Sequence, residues 1–296
     1  VVFDGSGLAN YFSRAPIPWS RESFSDPQPY LPKDSDYYRH IGIYAYRVSF
    51  LKDYVTWPPS MTEQVERLEQ LRALSNGVNI HVEITKASPP AGVDTQIFSI
   101  DRELNDIRPK YKLDATHFVV GIVSVLRSWK GHKYLIEAIK MASKVIPNIR
   151  LIIVGAGPQK QNIEQLINQL QLHDRIILTG HQPDPALFYN AMDVMVLPSY
   201  AGEATSQVLP QAMLMKKPVI STHTGGLSEV VIHNKTGLIV PTKNSLEIFN
   251  AIKTLFDDDS LRDRLAEEGR VHALKNFTFE KMIETTEHVY LDLMRS

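Results

Sequence analysis

The sequence predicts a doubly wound, Rossmann-like parallel α/β sheet from about residue 117 onward, preceded by a smaller α+β segment. Three observations carry this. Continuous apolar runs alternate with amphipathic stretches after His117. Each of five such runs opens into a polar, glycine-bearing loop. The first 95 or so residues have a different, Pro- and aromatic-rich composition.

The strands come first because their pattern is the clearest. Phe118-Val119-Val120-Gly121-Ile122-Val123-Ser124-Val125 is almost wholly apolar, as a strand buried on both faces must be. Similar runs cover 150–154, 175–178, 193–197, 218–221 and 237–240. Helical spacing falls between and after them, over 134–145, 160–170, 185–191, 207–215, 246–256, 260–273 and 279–293. Before residue 95 the spacing of Val65, Leu68, Leu71 and Arg72 predicts one helix, 61–75, followed by a strand over 79–84. Val1-Val2-Phe3-Asp4-Gly5 reads as a strand running into a turn, so the chain is expected to begin inside a fold. Two domains are expected, 1–95 and 96–296, which agrees with a prior of roughly 150 residues per domain.

Composition narrows the function classes. With a net charge of -1 over 296 residues, nothing favours nucleic acid or an acidic membrane surface. The absence of Cys removes disulfides, thiolate metal sites and a cysteine nucleophile. No apolar run approaches the roughly 18 residues of a membrane helix.

In open α/β sheets, ligands bind beyond the carboxyl ends of the strands. The loops found there are Leu126-Arg127-Ser128-Trp129-Lys130-Gly131-His132, Gly155-Ala156-Gly157-Pro158, Thr179-Gly180-His181-Gln182-Pro183-Asp184, the stretch from Pro198 to Ser206, and Thr222-His223-Thr224-Gly225-Gly226. Arg127 offers a planar fork of donors and Lys130 a point charge, so together they could hold a diphosphate and stabilise it as it leaves. Two solvated surface cations are the alternative. The Thr205-Ser206-Gln207-Val208 turn opens a helix whose N–H groups and dipole favour phosphate. Gly155 and Gly157 lack the full dinucleotide fingerprint, and could simply permit close packing.

From about Gly92 these motifs, with Gly225-Gly226-Leu227-Ser228-Glu229-Val230-Val231 and Thr236-Gly237-Leu238-Ile239-Val240-Pro241, resemble the C-terminal half of a family 4 glycosyltransferase. The resemblance implies retaining sugar transfer from a nucleotide-diphosphate sugar, in lipopolysaccharide or envelope polysaccharide synthesis, with no obligatory cofactor. It implies that Arg127 and Lys130 bind the diphosphate and that Glu203 touches the donor sugar, as the catalytic set. It puts Gly155, Gly157, Thr205, Ser206 and Val208 around sugar and phosphate, and His181 and Gln182 by the base. The family's second acid holds the ribose and should fall eight residues after Glu203 (211 − 203 = 8), where this chain has Gln211. Glu229 is either a second cleft carboxylate or a helix N-terminal acid.

The first part instead resembles the C-terminal part of CMP-Kdo synthetase, the cytidylyltransferase that activates the eight-carbon sugar Kdo with CTP. The matching residues are Tyr11-Phe12-Ser13-Arg14-Ala15-Pro16-Ile17-Pro18-Trp19, Arg39-His40-Ile41-Gly42-Ile43-Tyr44-Ala45-Tyr46-Arg47 and Leu68-Glu69-Gln70-Leu71-Arg72. This resemblance implies a sugar-acid site at Arg14, His40, Tyr44, Glu69 and Gln70. It makes Asp94 a Mg²⁺ ligand if the cytidylyltransferase part is active. Without the family, Arg14 and His40 are ordinary polar residues beside an aromatic core. Both families carry the stretch Gly92-Val93-Asp94-Thr95, so the chain is expected to be joined there, as a fusion, deletion or recombination product would be.

On these resemblances each part lacks its other half. Donor binding is therefore expected to be weak, and transfer absent unless another chain completes the site. The acceptor is expected to be lipid-linked or lipopolysaccharide, and the location a Gram-negative cytoplasm with a peripheral place at the inner membrane. The competing readings are a remnant cytidylyltransferase and a non-catalytic chimera.

Overall fold

A computed structural model describes residues 1–13, 15, 17–18, 20, 42, 44–82, 84, 91–203 and 206–295. The chain divides into two compact units, Val1–Ser88 with His288–Ser296, and Pro89–Glu287.

In the first unit, β1 (Val2–Phe3) and β2 (Ala9–Tyr11) form an antiparallel pair. The Asp4 carboxylate closes their turn by accepting from the Ser6 and Leu8 N–H groups at 2.9 and 3.0 Å. Three short helices follow, α1 (Val48–Tyr54), α2 (Met61–Glu66) and α3 (Gln70–Ser75). A small core of Ala9, Phe12, Leu68 and Leu71 joins the β1–β2 end to α3.

Three sequence expectations are corrected in this unit. The helix over 61–75 is two helices, because Arg67 takes a left-handed conformation (φ 58°) that ends α2. The break puts Leu68 and Leu71 into the core and leaves Val65 75% exposed. A bidentate pair then joins the two helices, Arg72 Nε and Nη2 donating to Glu63 at 2.8 and 2.5 Å. The strand expected over 79–84 is only an isolated bridge between Leu8 and His81, with residue 83 outside the described residues. Helix α1 is an addition. It buries no side chain, so it shows no apolar periodicity to read.

The second unit is the expected doubly wound sheet. Its strands are β3 (Phe118–Val123), β4 (Ile149–Val154), β5 (Ile176–Gly180), β6 (Val194–Leu197), β7 (Val219–Thr222) and β8 (Leu238–Val240). They pair in parallel in the order β5-β4-β3-β6-β7-β8. Successive side chains of a strand face opposite ways, so each strand feeds two cores. Val120, Ile122, Leu151, Ile153, Val194 and Val196 pack under α4 (His132–Ala142), α5 (Lys160–Gln169) and α9 (Ser245–Asp257). Val119, Ile152, Val154, Met195 and Leu197 pack under α6 (Ala186–Ala191), α7 (Val208–Leu214) and α8 (Leu227–Val230). Helices α10 (Asp259–Asn276) and α11 (Phe279–Arg295) end the chain. No described helix is long and apolar enough to cross a membrane.

Candidate functional site

The strand order reverses between β3 and β6, which is the place where an open α/β sheet has its ligand crevice, beyond the carboxyl ends of the strands. Lys130 ends a 3-10 turn, Ser128–Lys130, just after β3. Glu203 lies after β6. Lys130 Nζ donates to Glu203 Oε1 at 2.6 Å, and Ser199 Oγ donates to the same oxygen at 2.5 Å. The pair is shielded from solvent, with side-chain exposures of 18% for Lys130 and 5% for Glu203. Glu203 Oε2 has no partner among the described residues.

Backbone contacts hold this arrangement from behind. Tyr200 N–H donates to the Trp129 carbonyl at 2.8 Å, which ties the β3 and β6 loops together. The hydroxyls of Thr222 and Thr224 donate to the Ser199 carbonyl at 2.5 and 3.0 Å, which adds the loop after β7. Gly226 N–H donates to the Glu203 carbonyl at 3.1 Å. A Cβ on Gly225 would lie 1.8 Å from that carbonyl oxygen, so the approach requires glycine.

Arg127 behaves differently from Lys130. Its guanidinium lies over the Trp129 ring, 5.0 Å from the centroid, and forms no ion pair with any described residue. Its N–H donors therefore remain available to a ligand. The Trp129 indole edge in turn lies against Gly202, beside Glu203.

Behind the rim, His132 is 3% exposed and its Nε2 shares a 3.0 Å hydrogen bond with Ser124 Oγ. Burial, with the Lys130 charge acting in the same direction, pushes its pKa down to about 4.

The remaining sequence-predicted residues fall as follows. Gly155 and Gly157 press the β4 loop onto the β3 loop: Cβ atoms there would come within 1.9 Å of Ser124 O and 2.7 Å of Leu126 N. Close packing accounts for both. His181 is exposed after β5, and Gln182 Nε2 donates to the Thr179 carbonyl at 2.8 Å. Ser206 is buried and Val208 opens α7; Thr205 lies outside the described residues. Glu229 is an exposed first-turn acid of α8.

Gln211 is held by a residue that sequence reasoning missed. Tyr189 OH, on a fully buried ring, donates to Gln211 Oε1 and to the Val208 carbonyl, both at 3.1 Å. Burial holds the phenol well above its ordinary pKa, so it stays a donor. The Gln211 amide is thereby oriented with its oxygen toward Tyr189 and its NH₂ group free of any described partner. Only an apolar helix position marked Tyr189 in the sequence. Ser199, Thr222 and Thr224 fall in loops the sequence marks as polar, but their contacts depend on how three loops meet.

In the first unit, Tyr44 stacks on Tyr46 at 5.9 Å. Its pKa is raised first by burial, then by Tyr46 and the Glu69 carboxylate. Gln70 is buried, and its Nε2 donates to Glu69 Oε1 at 3.2 Å. Arg14 and His40 lie outside the described residues. Asp94, in the second unit, accepts from the backbone N–H groups of Gln96 and Ile97 at 2.8 and 3.2 Å. That is a turn-capping role.

Comparison with known proteins now adds to this geometry. A family model described as glycosyl transferases group 1 matches residues 104–272, and one described as cytidylyltransferase matches residues 1–80. The 3-deoxy-manno-octulosonate cytidylyltransferase of Hahella chejuensis is 59% identical over 96 residues, which are 32% of this chain and 38% of that protein. The chain thus spans well under half the length of that relative. HepE of Anabaena in complex with UDP is similar in structure with a TM-score of 0.65 and 26% identity, over 78% of this chain and 62% of that one. The C-terminal domain of LpcC, a group 1 family glycosyl transferase from Francisella tularensis, is similar with a TM-score of 0.57 and 27% identity, over 63% of this chain and 99% of that domain.

Proposed function

Because the chain belongs to the group 1 glycosyl transferases, we propose that its second unit binds a nucleotide-diphosphate sugar at the β3–β6 crevice and serves retaining sugar transfer. The observation that carries this is the shielded Lys130–Glu203 pair at the switch point, with Arg127 three residues before Lys130 in the same loop and without an ion pair among the described residues. Arg127 and Lys130 would receive the pyrophosphate. Glu203 Oε2 would face the sugar.

In the transfer, the bond from the sugar's anomeric carbon to the diphosphate oxygen breaks, and its electron pair leaves with the diphosphate. Arg127 and Lys130 neutralise the charge that develops there. The acceptor hydroxyl oxygen bonds to the anomeric carbon on the same face, and its proton goes to the departing diphosphate. These two cations supply the charge a metal would otherwise bring, so the proposal assigns no obligatory cofactor. HepE, which holds UDP, supports the ligand class. The Kdo-related first segment supports an acceptor in envelope polysaccharide, lipid-linked or lipopolysaccharide, handled in the cytoplasm at the inner membrane.

Transfer needs donor and acceptor held together in a near-attack geometry. The proposal therefore includes weak donor binding by the purified chain, and transfer only when another chain supplies the acceptor side. Calorimetry with UDP, GDP, CMP and their sugars tests the reading. Binding of one nucleoside diphosphate, lost in Arg127→Ala, is expected. No binding of any of them would overturn it, and transfer at an ordinary rate by the chain alone would overturn the requirement for a partner.

A second reading rests on the grouping of Tyr44, Glu69 and Gln70 within a segment similar to a cytidylyltransferase. It requires Mg²⁺-dependent binding of Kdo and CTP that Asp94→Ala abolishes. The capping bonds that Asp94 makes weigh against it.

A further inference from the structure

A groove of roughly 310 Å³ runs from Arg127 to Gln169, between the first turn of α4 and the length of α5. Its α5 wall carries uncharged amides, among them Gln159, Asn162 and Gln169. The spacing of these three keeps them near one face of a helix, over about 15 Å. Gln159 and Asn162 brace one another, Asn162 Nδ2 donating to Gln159 Oε1 at 2.8 Å. Gln169 has no side-chain partner among the described residues.

Across from the amides stand two aromatic rings. Tyr134, on α4, meets Tyr200 edge-on, with ring centroids 6.1 Å apart and planes at 85°. Ile163 is buried between the walls.

The chemistry of this lining selects its occupant. Neutral amides both donate and accept hydrogen bonds, which suits hydroxyl groups, and the amide wall itself offers a carboxylate or ammonium no counter-charge. Aromatic faces and an aliphatic floor suit the C–H faces of sugar rings. A nucleic-acid strand would need cations along its whole track, whereas the charged lining residues are Arg127 and Lys133, and Lys243 Nζ covers one face of Tyr200, 4.8 Å from its centroid. A lipid tail would strip water from the amides without replacing their hydrogen bonds.

We propose that this groove holds a neutral oligosaccharide, an inner stretch of the glycan being extended, whose reacting end the other chain still has to present, with Tyr134 and Tyr200 against sugar rings and Asn162 and Gln169 on hydroxyls. Arg127 lines the groove and stands three residues before Lys130 in the same loop, so a glycan lying along α5 runs toward the loop that rims the crevice. The acceptor role rests on the donor reading; the binding does not.

The test is saturation-transfer NMR and calorimetry on the full chain with maltotriose, cellotriose and mannotriose, and UDP as a separate titrant. Saturable binding of at least one trisaccharide is expected, weakened about tenfold in Asn162→Ala/Gln169→Ala with UDP affinity unchanged. Both positions are solvent-exposed on α5, so the variant should fold; circular dichroism checks this, and the single variant Gln169→Ala serves if it does not. No saturable binding of any trisaccharide, or binding equal in the variant, overturns the proposal. So does evidence that groove residues respond to protein concentration instead, which would seat a second copy there. Glycan binding without UDP binding would remove the donor reading and leave the groove standing.

Discussion

Lys130 Nζ sits 2.6 Å from Glu203 Oε1 across the point where the sheet's strand order reverses, although 73 residues separate them in the chain. A carboxylate only 5% exposed depends on that partner. Removing one side of a buried ion pair leaves an uncompensated charge and costs about 3 kcal/mol or more, whereas an exposed pair contributes about 0–1. Lys130→Met should therefore lower the unfolding free energy by about 3 kcal/mol. The double variant Lys130→Met/Glu203→Gln should recover part of that loss, because the orphaned charge is gone. Urea unfolding of both variants measures this. A single-variant cost under about 0.5 kcal/mol would mean the pair is solvated and organises nothing.

Gly225 tests whether the Glu203 backbone must stay where it is. A methyl group there would meet the Glu203 carbonyl at 1.8 Å, on a residue with φ of 54°. Gly77 has a similar positive φ of 74° but open space around it. Gly77→Ala should cost only the conformational strain, about 1 kcal/mol, and leave UDP affinity unchanged. Gly225→Ala should cost more and weaken UDP binding about tenfold or more, as calorimetry would report. Equal stability losses and intact binding in both would detach the Glu203 backbone from ligand binding.

Gln211 presents an NH₂ group because Tyr189 occupies its oxygen. Gln211→Glu would offer a charged acceptor to the ribose hydroxyls, and hydrogen bonds to charged groups exceed neutral ones by about 1 kcal/mol. UDP affinity should rise about fivefold in Gln211→Glu. It should fall in Tyr189→Phe, which frees the amide and leaves the Val208 carbonyl without its phenol donor. Unchanged calorimetric affinity in both variants would take Gln211 out of the nucleotide site.

The sheet was legible because a strand buried on both faces has to be apolar throughout, and Ile149–Val154 and Val194–Leu197 nearly are. The loops that rim the crevice were legible for the same reason: they begin where those runs stop. Which side chains meet there was not, since pairing Lys130 with Glu203, or Thr222 with Ser199, depends on strand order and loop curvature. The first unit was less readable. Its capping box, Ser60 with Glu63, marks the start of α2, but Arg67 is not a residue type that announces a left-handed stop. The apolar spacing ran on through the break, and Val65 was assigned to a face that the structure leaves in solvent.

His132 makes the rim sensitive to acid. Its folded pKa is about 4 against 6.5 for the free side chain, so between these values the unfolded chain binds a proton that the folded chain refuses. Stability is then complete above pH 6.5 and declines as pH falls toward 4, by about 3 kcal/mol across the window. His272, whose pKa burial also lowers, adds in the same direction, so the whole-chain slope alone would not identify the group. His132→Gln removes the titration and keeps a polar side chain beside Ser124. Urea midpoints at pH 7 and pH 5 should differ distinctly less in this variant than in the parent. Because Lys130 stands two residues away and helps to hold the imidazole neutral, Lys130→Met should raise the His132 pKa toward 6.5 and shrink the stability lost between pH 6.5 and pH 4. Identical pH slopes in parent and His132→Gln would show that the buried imidazole does not govern acid stability.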